Sequence, residues 1–391
     1  MFLSDSQIDC VFVKMSSSLK DKLKCFSISV PAVPAGRYEV FVGSGYLRFL
    51  RAALQEQFAP RSPFVITDAS LVKAGHWDAF RGSDDLSVFV IDPPGEVSKN
   101  MQTISAILEA MEGRLLGRDS LVIGLGGGTV GDMAGFAAAV FKRGVPVVHI
   151  PTTTVSQADS SIGGKTGVDS SQSKNAFGAF WQPAAVYMDT ATLQTLDDVQ
   201  YRAGLAESVK HAAIADEGFF AWLEEHTEPL LKRRTDALEH LACENCRIKA
   251  SVVMEDPTEK NRRRILNYGH TIGHAVEALS GYTLLHGQAV AIGMTAAGWI
   301  EKEMGLAADD RLERIETLLK KLGLPTRIPT LYSPEQILSL LKLDKKALGR
   351  RPRFVLLEKL GKVLCQDGQW AVEVPENLIE QVLCRLTVQQ S

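Results

Sequence analysis

Three histidines and a glutamate stand where they could share a metal ion. His270 and His274 are four residues apart in NYGHTIGHAVEAL, so a helix would present both imidazoles on one face. His286 opens the next helical stretch after the short loop SGYTLL, near enough in sequence to fold back on the first two. Histidine and carboxylate ligands with one open position are the usual form of a catalytic zinc centre, and Glu207 in AGLAESVKHA offers a carboxylate. The residues alone leave open whether the shell is three histidines or includes Glu207. The other histidines, His76, His149, His211, His226 and His240, show no such spacing and read as core or surface residues.

A second chemistry is written in LVIGLGGGTVGD. Gly126, Gly128 and Gly131 fit G-x-G-x-x-G between an apolar strand and the helix-like DMAGFAAAVFKR. Such a turn lets backbone N–H groups meet a pyrophosphate at a helix N-terminus. The acidic residue that normally meets the ribose about 20 positions on is absent, because that region reads VVHIPTTTV. A purely structural turn therefore stands beside the nucleotide reading.

The third feature is a set of bases outside solvated charge runs: Arg143, Lys165, Lys174, Lys210, Lys249 and Arg263. GGKTG and SKNAFGAF look like loops that carry an ammonium to a ligand, whereas the run Arg262 to Arg264 reads equally well as a solvated face. Net charge is −3 and pI about 6.3. Nothing global then draws the chain to nucleic acid or an anionic membrane, and anion recognition has to be local.

These residues need a scaffold, and 391 residues with 45% hydrophobic content suffice for two domains. Residues 26–190 alternate short β-rich runs (YEVFVG, PFVITD, LSVFVID, VPVVHIPTT, AAVYMD) with helical stretches, which predicts a Rossmann-like α/β domain with a mostly parallel sheet. Residues 191–391 shift to long segments of helical spacing and predict an all-α second domain. Residues 1–25 read as a poorly ordered extension without the pattern of a secretory signal, and no apolar run is long enough to span a membrane. Six scattered cysteines argue for a reducing, cytoplasmic setting, with Cys243-x-x-Cys246 read as two cysteines on a helix.

Seven motifs in order, GGGTVGDMAGFAAAVFKRG, PTTTVSQADSSIGGKTGVD, SKNAFGAFWQP, AGLAESVK, RRILNYGHTIGHAVE, LHGQAVAIGM and LDKKALGRRPRFVLL, together resemble the 3-dehydroquinate synthase family from about residue 36 to 360. The resemblance implies that family's fold, a homodimer, NAD, and one zinc or cobalt ion held by Glu207, His270 and His286. His274 then moves from the metal shell to the substrate. The resemblance places NAD on Asp68, Glu96, Lys99, Gly126, Gly127, Gly128, Val130, Asp132, Thr152 and Thr153, with Lys165 and Lys174 at its edge. It assigns catalysis and substrate binding to Asp159, Lys165, Lys174, Asn175, Lys210, Lys249, Arg263, Asn267 and His274. Lys345 or Lys346 adds to these, and Arg143 reaches across the dimer.

The implied reaction turns 3-deoxy-arabino-heptulosonate 7-phosphate, a small sugar-acid phosphate, into 3-dehydroquinate and phosphate. Transient oxidation at C5 precedes phosphate β-elimination, re-reduction, ring opening and aldol closure, so the cofactor is regenerated. The alternatives are another NAD- and metal-dependent sugar-phosphate cyclase, an iron-type polyol dehydrogenase and a non-catalytic protein on the same scaffold. Ser173, Thr154, Gln288 and the stretch DDVQYR depart from the family's usual pattern without replacing an implied ligand.

Overall fold

Alternation along the strands sets the first half of the molecule. In Ser62–Asp68 (β2) the side chains of Phe64 and Ile66 join one apolar cluster and Val65 the opposite one; in Ser120–Gly126 (β4) Val122 and Leu121, Ile123 and Leu125 divide the same way. Each strand is thus buried on both faces, as helix-covered parallel sheets require. With Glu39–Gly43 (β1), Val88–Ile91 (β3), Val147–Pro151 (β5) and Ala185–Asp189 (β8), they form a six-stranded parallel sheet in the order β1-β8-β5-β4-β2-β3. Lys165–Val168 (β6) and Phe177–Phe180 (β7) pair separately as an antiparallel hairpin.

This computed structural model describes residues 37–83, 85–281, 283–306, 310–346 and 352–387, side chains of residues 343–346 excepted. The expected extension over residues 1–25 lies outside the described residues, as do the side chains of Lys345 and Lys346.

The helices split by face. Leu47–Gln57 (α1) packs with the short helices after β2 on one side; Met101–Gly113 (α2) and Gly128–Val140 (α3) pack on the other. Strand order reverses between β2 and β4, and the chain leaves their C-terminal ends toward opposite faces. In such sheets that crevice is where ligands bind, and it lies beside Asp68 and Gly126.

Beyond β8 the chain is largely helical. Asp198–Ala215 (α4), Thr235–Glu255 (α5), His270–Leu279 (α6), His286–Glu303 (α7), Arg311–Lys321 (α8), Pro334–Lys346 (α9) and Glu376–Thr387 (α10) enclose one large apolar core. Two small antiparallel ribbons, Arg353–Phe354 with Val372–Glu373 and Leu357–Lys359 with Lys362–Val363, accompany the helices. Helices α4 and α7 are buried nearly all round, which places both in the interior.

Candidate active site

Helix α7 reaches the site because it has glycines where it crosses its neighbours. A Cβ on Gly287 would lie 1.8 Å from the Ala203 carbonyl oxygen of α4, and one on Gly293 would lie 1.7 Å from that of Gly269. Those contacts flank the functional residues: Gly287 follows His286, Ala203 precedes Glu207 by one turn, and Gly269 precedes His270. Backbone-to-backbone packing therefore fixes the spacing of the three elements.

The result is a compact ligand set. Glu207 Oε1 lies 3.2 Å from His286 Nε2 and 3.8 Å from His270 Nε2. Both Glu207 oxygens are fully buried and, among the described residues, receive no well-directed hydrogen bond. His270 Nδ1 lies 3.1 Å from the Tyr268 carbonyl, which can only accept, so that nitrogen carries the proton and Nε2 offers its lone pair. His286 Nδ1 is backed by Glu277 at 3.3 Å, the carboxylate–histidine arrangement that orients metal ligands. These donors fit a divalent transition metal.

Two neighbouring groups have metal-like composition, and their partners argue against them. His274 and Glu277 could join His286, but Glu277 is engaged by Lys174 at 2.9 Å. Asp159, Glu207 and His211 could also converge, yet Lys249 sits 2.7 Å from Asp159 and a second ammonium, Lys210, contacts Glu207. Two fixed cations oppose a third.

Electrostatics sharpen this picture. Burial pushes the Glu207 carboxyl upward, but the Lys210 charge and the approach of the His286 imidazole outweigh it and hold it well below the usual range. Burial likewise raises Asp159, and Lys210 and Lys249 outweigh it downward. Burial pulls Lys249 down, whereas for Lys210 the charges of Asp159 and Glu207 overcome burial and raise it. His270 falls to about 3 through burial and then the Lys210 charge.

Asp159 stands in a single π-helical turn, Ser156–Ser160, a local expansion common at functional sites. Arg263 is 2% exposed and donates from Nη1 to the carbonyls of Gly163 at 2.9 Å and Pro257 at 2.8 Å. Its Nε is buried and, among the described residues, has no hydrogen-bond partner. The loop that carries Arg263 is gathered by Asp256, whose carboxylate accepts from the N–H groups of Lys260, Asn261 and Arg263.

The nucleotide crevice is built from the sheet side. β4 ends at Gly126, where a Cβ would lie 2.6 Å from Val130, so only glycine lets the turn close onto α3. Thr152 follows β5 and bonds back to the Gly126 carbonyl through its N–H, and its hydroxyl is buried without a partner among the described residues. Thr153 is fixed to Ser156. Asp68 caps the helix after β2 by accepting from Ser70 and Leu71 N–H groups. Lys99 pairs with Asp132 at 2.7 Å and with Asn175 at 2.6 Å, and Glu96 meets Thr129 at 3.1 Å and Lys174 at 3.4 Å.

A continuous polar chain thus runs from Asp132 through Lys99, Glu96, Lys174 and Glu277 to His286. Lys165 and Asn267 meet at Glu259, 3.0 Å from the latter. His274 is exposed, its ring 5.1 Å from that of His270. Arg143 is exposed and, among the described residues, makes no hydrogen bond or ion pair. Glu259, Glu277 and Asp256 were not singled out in the sequence, because their partners come from distant segments and no spacing announces them. Gln288 accepts from the Leu285 N–H at 3.0 Å, so it caps α7 as a glutamate there would.

Comparison with known proteins places the chain in a family. Profiles described as 3-dehydroquinate synthase N-terminal and C-terminal match residues 89–203 and 204–347. The curated 3-dehydroquinate synthase of Nitrosospira multiformis is 39% identical over 373 residues, covering 93% of this chain and 99% of that protein. Among solved structures, 2-epi-5-epi-valiolone synthase from Streptomyces hygroscopicus subsp. jinggangensis, with NAD+ and Zn2+ bound, is 27% identical with a TM-score of 0.81 over 92% of this chain and 99% of that one. A 2-deoxy-scyllo-inosose synthase complexed with carbaglucose-6-phosphate, NAD+ and Co2+ is also 27% identical, with a TM-score of 0.78 over 88% and 96%. The chain belongs to the 3-dehydroquinate synthase family.

Proposed function

We propose that this chain converts 3-deoxy-arabino-heptulosonate 7-phosphate to 3-dehydroquinate and phosphate, with NAD and one zinc or cobalt ion as cofactors. The observation that carries it is the convergence of Glu207, His270 and His286 with three buried bases, Lys210, Lys249 and Arg263. When bound, NAD supplies reversible hydride acceptance and the metal supplies Lewis-acid polarisation. Glu207, His270 and His286 would hold the ion. Lys210, one turn from Glu207, assists at the oxidised hydroxyl. Arg263 offers its guanidinium, and Lys249 its charge, to the substrate carboxylate.

Lys165, Lys174, Asn175 and His274 hold the phosphate, with Asn267, Asp159 and one of Lys345 and Lys346 completing the shell. Each phosphate-side lysine already rests on a carboxylate, Lys165 on Glu259 and Lys174 on Glu277. The incoming phosphate competes with these contacts. The Gly126 to Asp132 turn, Thr152, Thr153 and Lys99 would hold the nucleotide, with Asp68 and Glu96 in place of the missing ribose contact.

We read residues 26–190 and 191–391 as the cofactor half and the metal half. A homodimer is supported by the exposed Phe177 and Phe180 on β7 and by the exposed Arg143. A cytoplasmic setting is supported by the free thiols of Cys243, Cys246, Cys365 and Cys384; among the described residues no helix is long and apolar enough to cross a membrane. Against another cyclase stands the Arg263 fork. Purified enzyme should release phosphate from the acid-bearing substrate and not from sugar phosphates lacking the carboxylate. Equal rates on both would remove this assignment.

A further inference from the structure

We infer that His211, a residue outside the metal and anion-binding sets, contacts the substrate: its Nε2 and Asp159 Oδ1 form a paired acceptor for one substrate hydroxyl. The inference rests on the proposed function and names one more recognition element of that site.

The tautomer follows from neighbours. Asn245 Nδ2 donates to Ser208 Oγ at 2.8 Å and to the Leu241 carbonyl at 2.9 Å. A carbonyl only accepts, so the amide is fixed with Oδ1 toward His211 Nδ1, 2.9 Å away. Nδ1 therefore carries the hydrogen and Nε2 faces Asp159 Oδ1 at 3.6 Å. That separation is too long for a hydrogen bond between them.

Asp159 already faces two ammonium groups, since Lys249 is paired with it and the Lys210 charge acts on it, and a third cation beside them is disfavoured. Burial, followed by the Lys210 charge, works in the same sense and lowers His211. The imidazole is then neutral and its Nε2 is an acceptor, buried and without a hydrogen-bond partner among the described residues. Two acceptors held at this distance, one of them buried and unsatisfied, call for an O–H placed between them. The polyhydroxyl substrate class provides one. Asn245 belongs to α5, which also carries Lys249, so the same helix sets the carboxylate-side base and the tautomer.

The test compares wild-type holoenzyme with His211→Phe and His211→Gln, measuring phosphate release, bound metal, NAD affinity and melting temperature. Loss of a hydrogen bond of this kind corresponds to about a ten- to hundredfold fall in kcat/KM. We expect that fall in the Phe variant, with metal and NAD binding retained, and substantial recovery in the Gln variant, which keeps an acceptor. A Phe variant within twofold of wild type overturns the inference, as does a loss traced to missing metal.

Should the Phe variant not fold, nitrogen-15 NMR of wild-type holoenzyme decides. A non-eliminating phosphonate analogue of the substrate should move the His211 Nε2 signal toward the hydrogen-bonded range, and an unmoved signal overturns the inference. A wild type that binds metal and NAD but releases no phosphate sinks the proposed function, and this inference with it; an active wild type beside an equally active Phe variant sinks the inference alone.

Discussion

Carboxylates of one chemical type are given different tasks by what surrounds them. Glu207 is enclosed by two imidazoles and a lysine and stays ionised; Glu277 stands one step back and orients His286; Glu259 holds Lys165 and Asn267. Glu207→Gln should remove bound metal and lower turnover by at least a hundredfold while NAD affinity stays within a fewfold, because the nucleotide crevice draws on other residues. Metal analysis beside an NAD titration checks this, and loss of NAD binding with metal retained would contradict it. Arg263→Lys should raise KM about ten- to hundredfold, since an ammonium cannot offer two parallel donors. At this scale spacing placed His270 and His274 side by side on one helix, but it did not separate His270, which joins Glu207 and His286, from His274, which does not. It was silent for His211 and Glu277, whose meaning lies in a partner across the fold.

Elements translate those side chains into geometry. Gly293→Ala should destabilise the protein strongly and reduce metal affinity, because its Cβ meets the Gly269 carbonyl one residue before His270; thermal melting and metal titration test both effects together. The loop over residues 257–263 depends on Asp256, whose carboxyl burial would raise but three backbone N–H groups pull down to about 2. A depressed carboxyl contributes stability above its unfolded value near 4, and that contribution is lost as pH falls from about 4 towards 2. Asp256→Asn should therefore lower stability by roughly 1–2 kcal/mol at pH 7, allowing for solvent screening. The gap should close near pH 2 in urea melts, and a constant gap across that range would show that charge is not the cause. The parallel strands and the glycine turn were legible because period and apolar runs encode them. The two-residue strands at Arg353–Phe354 and Lys362–Val363 were not, since so short a segment has no period to read.

Across the whole molecule, the polar chain from Asp132 to His286 links the sheet's switch point to the buried helices α4 and α7. The family and its fold were legible through motif order. The linkage was not, because Lys99 to Asn175, Lys174 to Glu277 and Lys249 to Asp159 each join segments at least 76 residues apart. The most direct test is phosphate release from 3-deoxy-arabino-heptulosonate 7-phosphate by metal-loaded protein with substoichiometric NAD, with NADH absorbance followed in parallel. Many phosphates released per NAD without NADH accumulation is the predicted result. NADH formed in proportion to substrate consumed, or no phosphate at all, would contradict it.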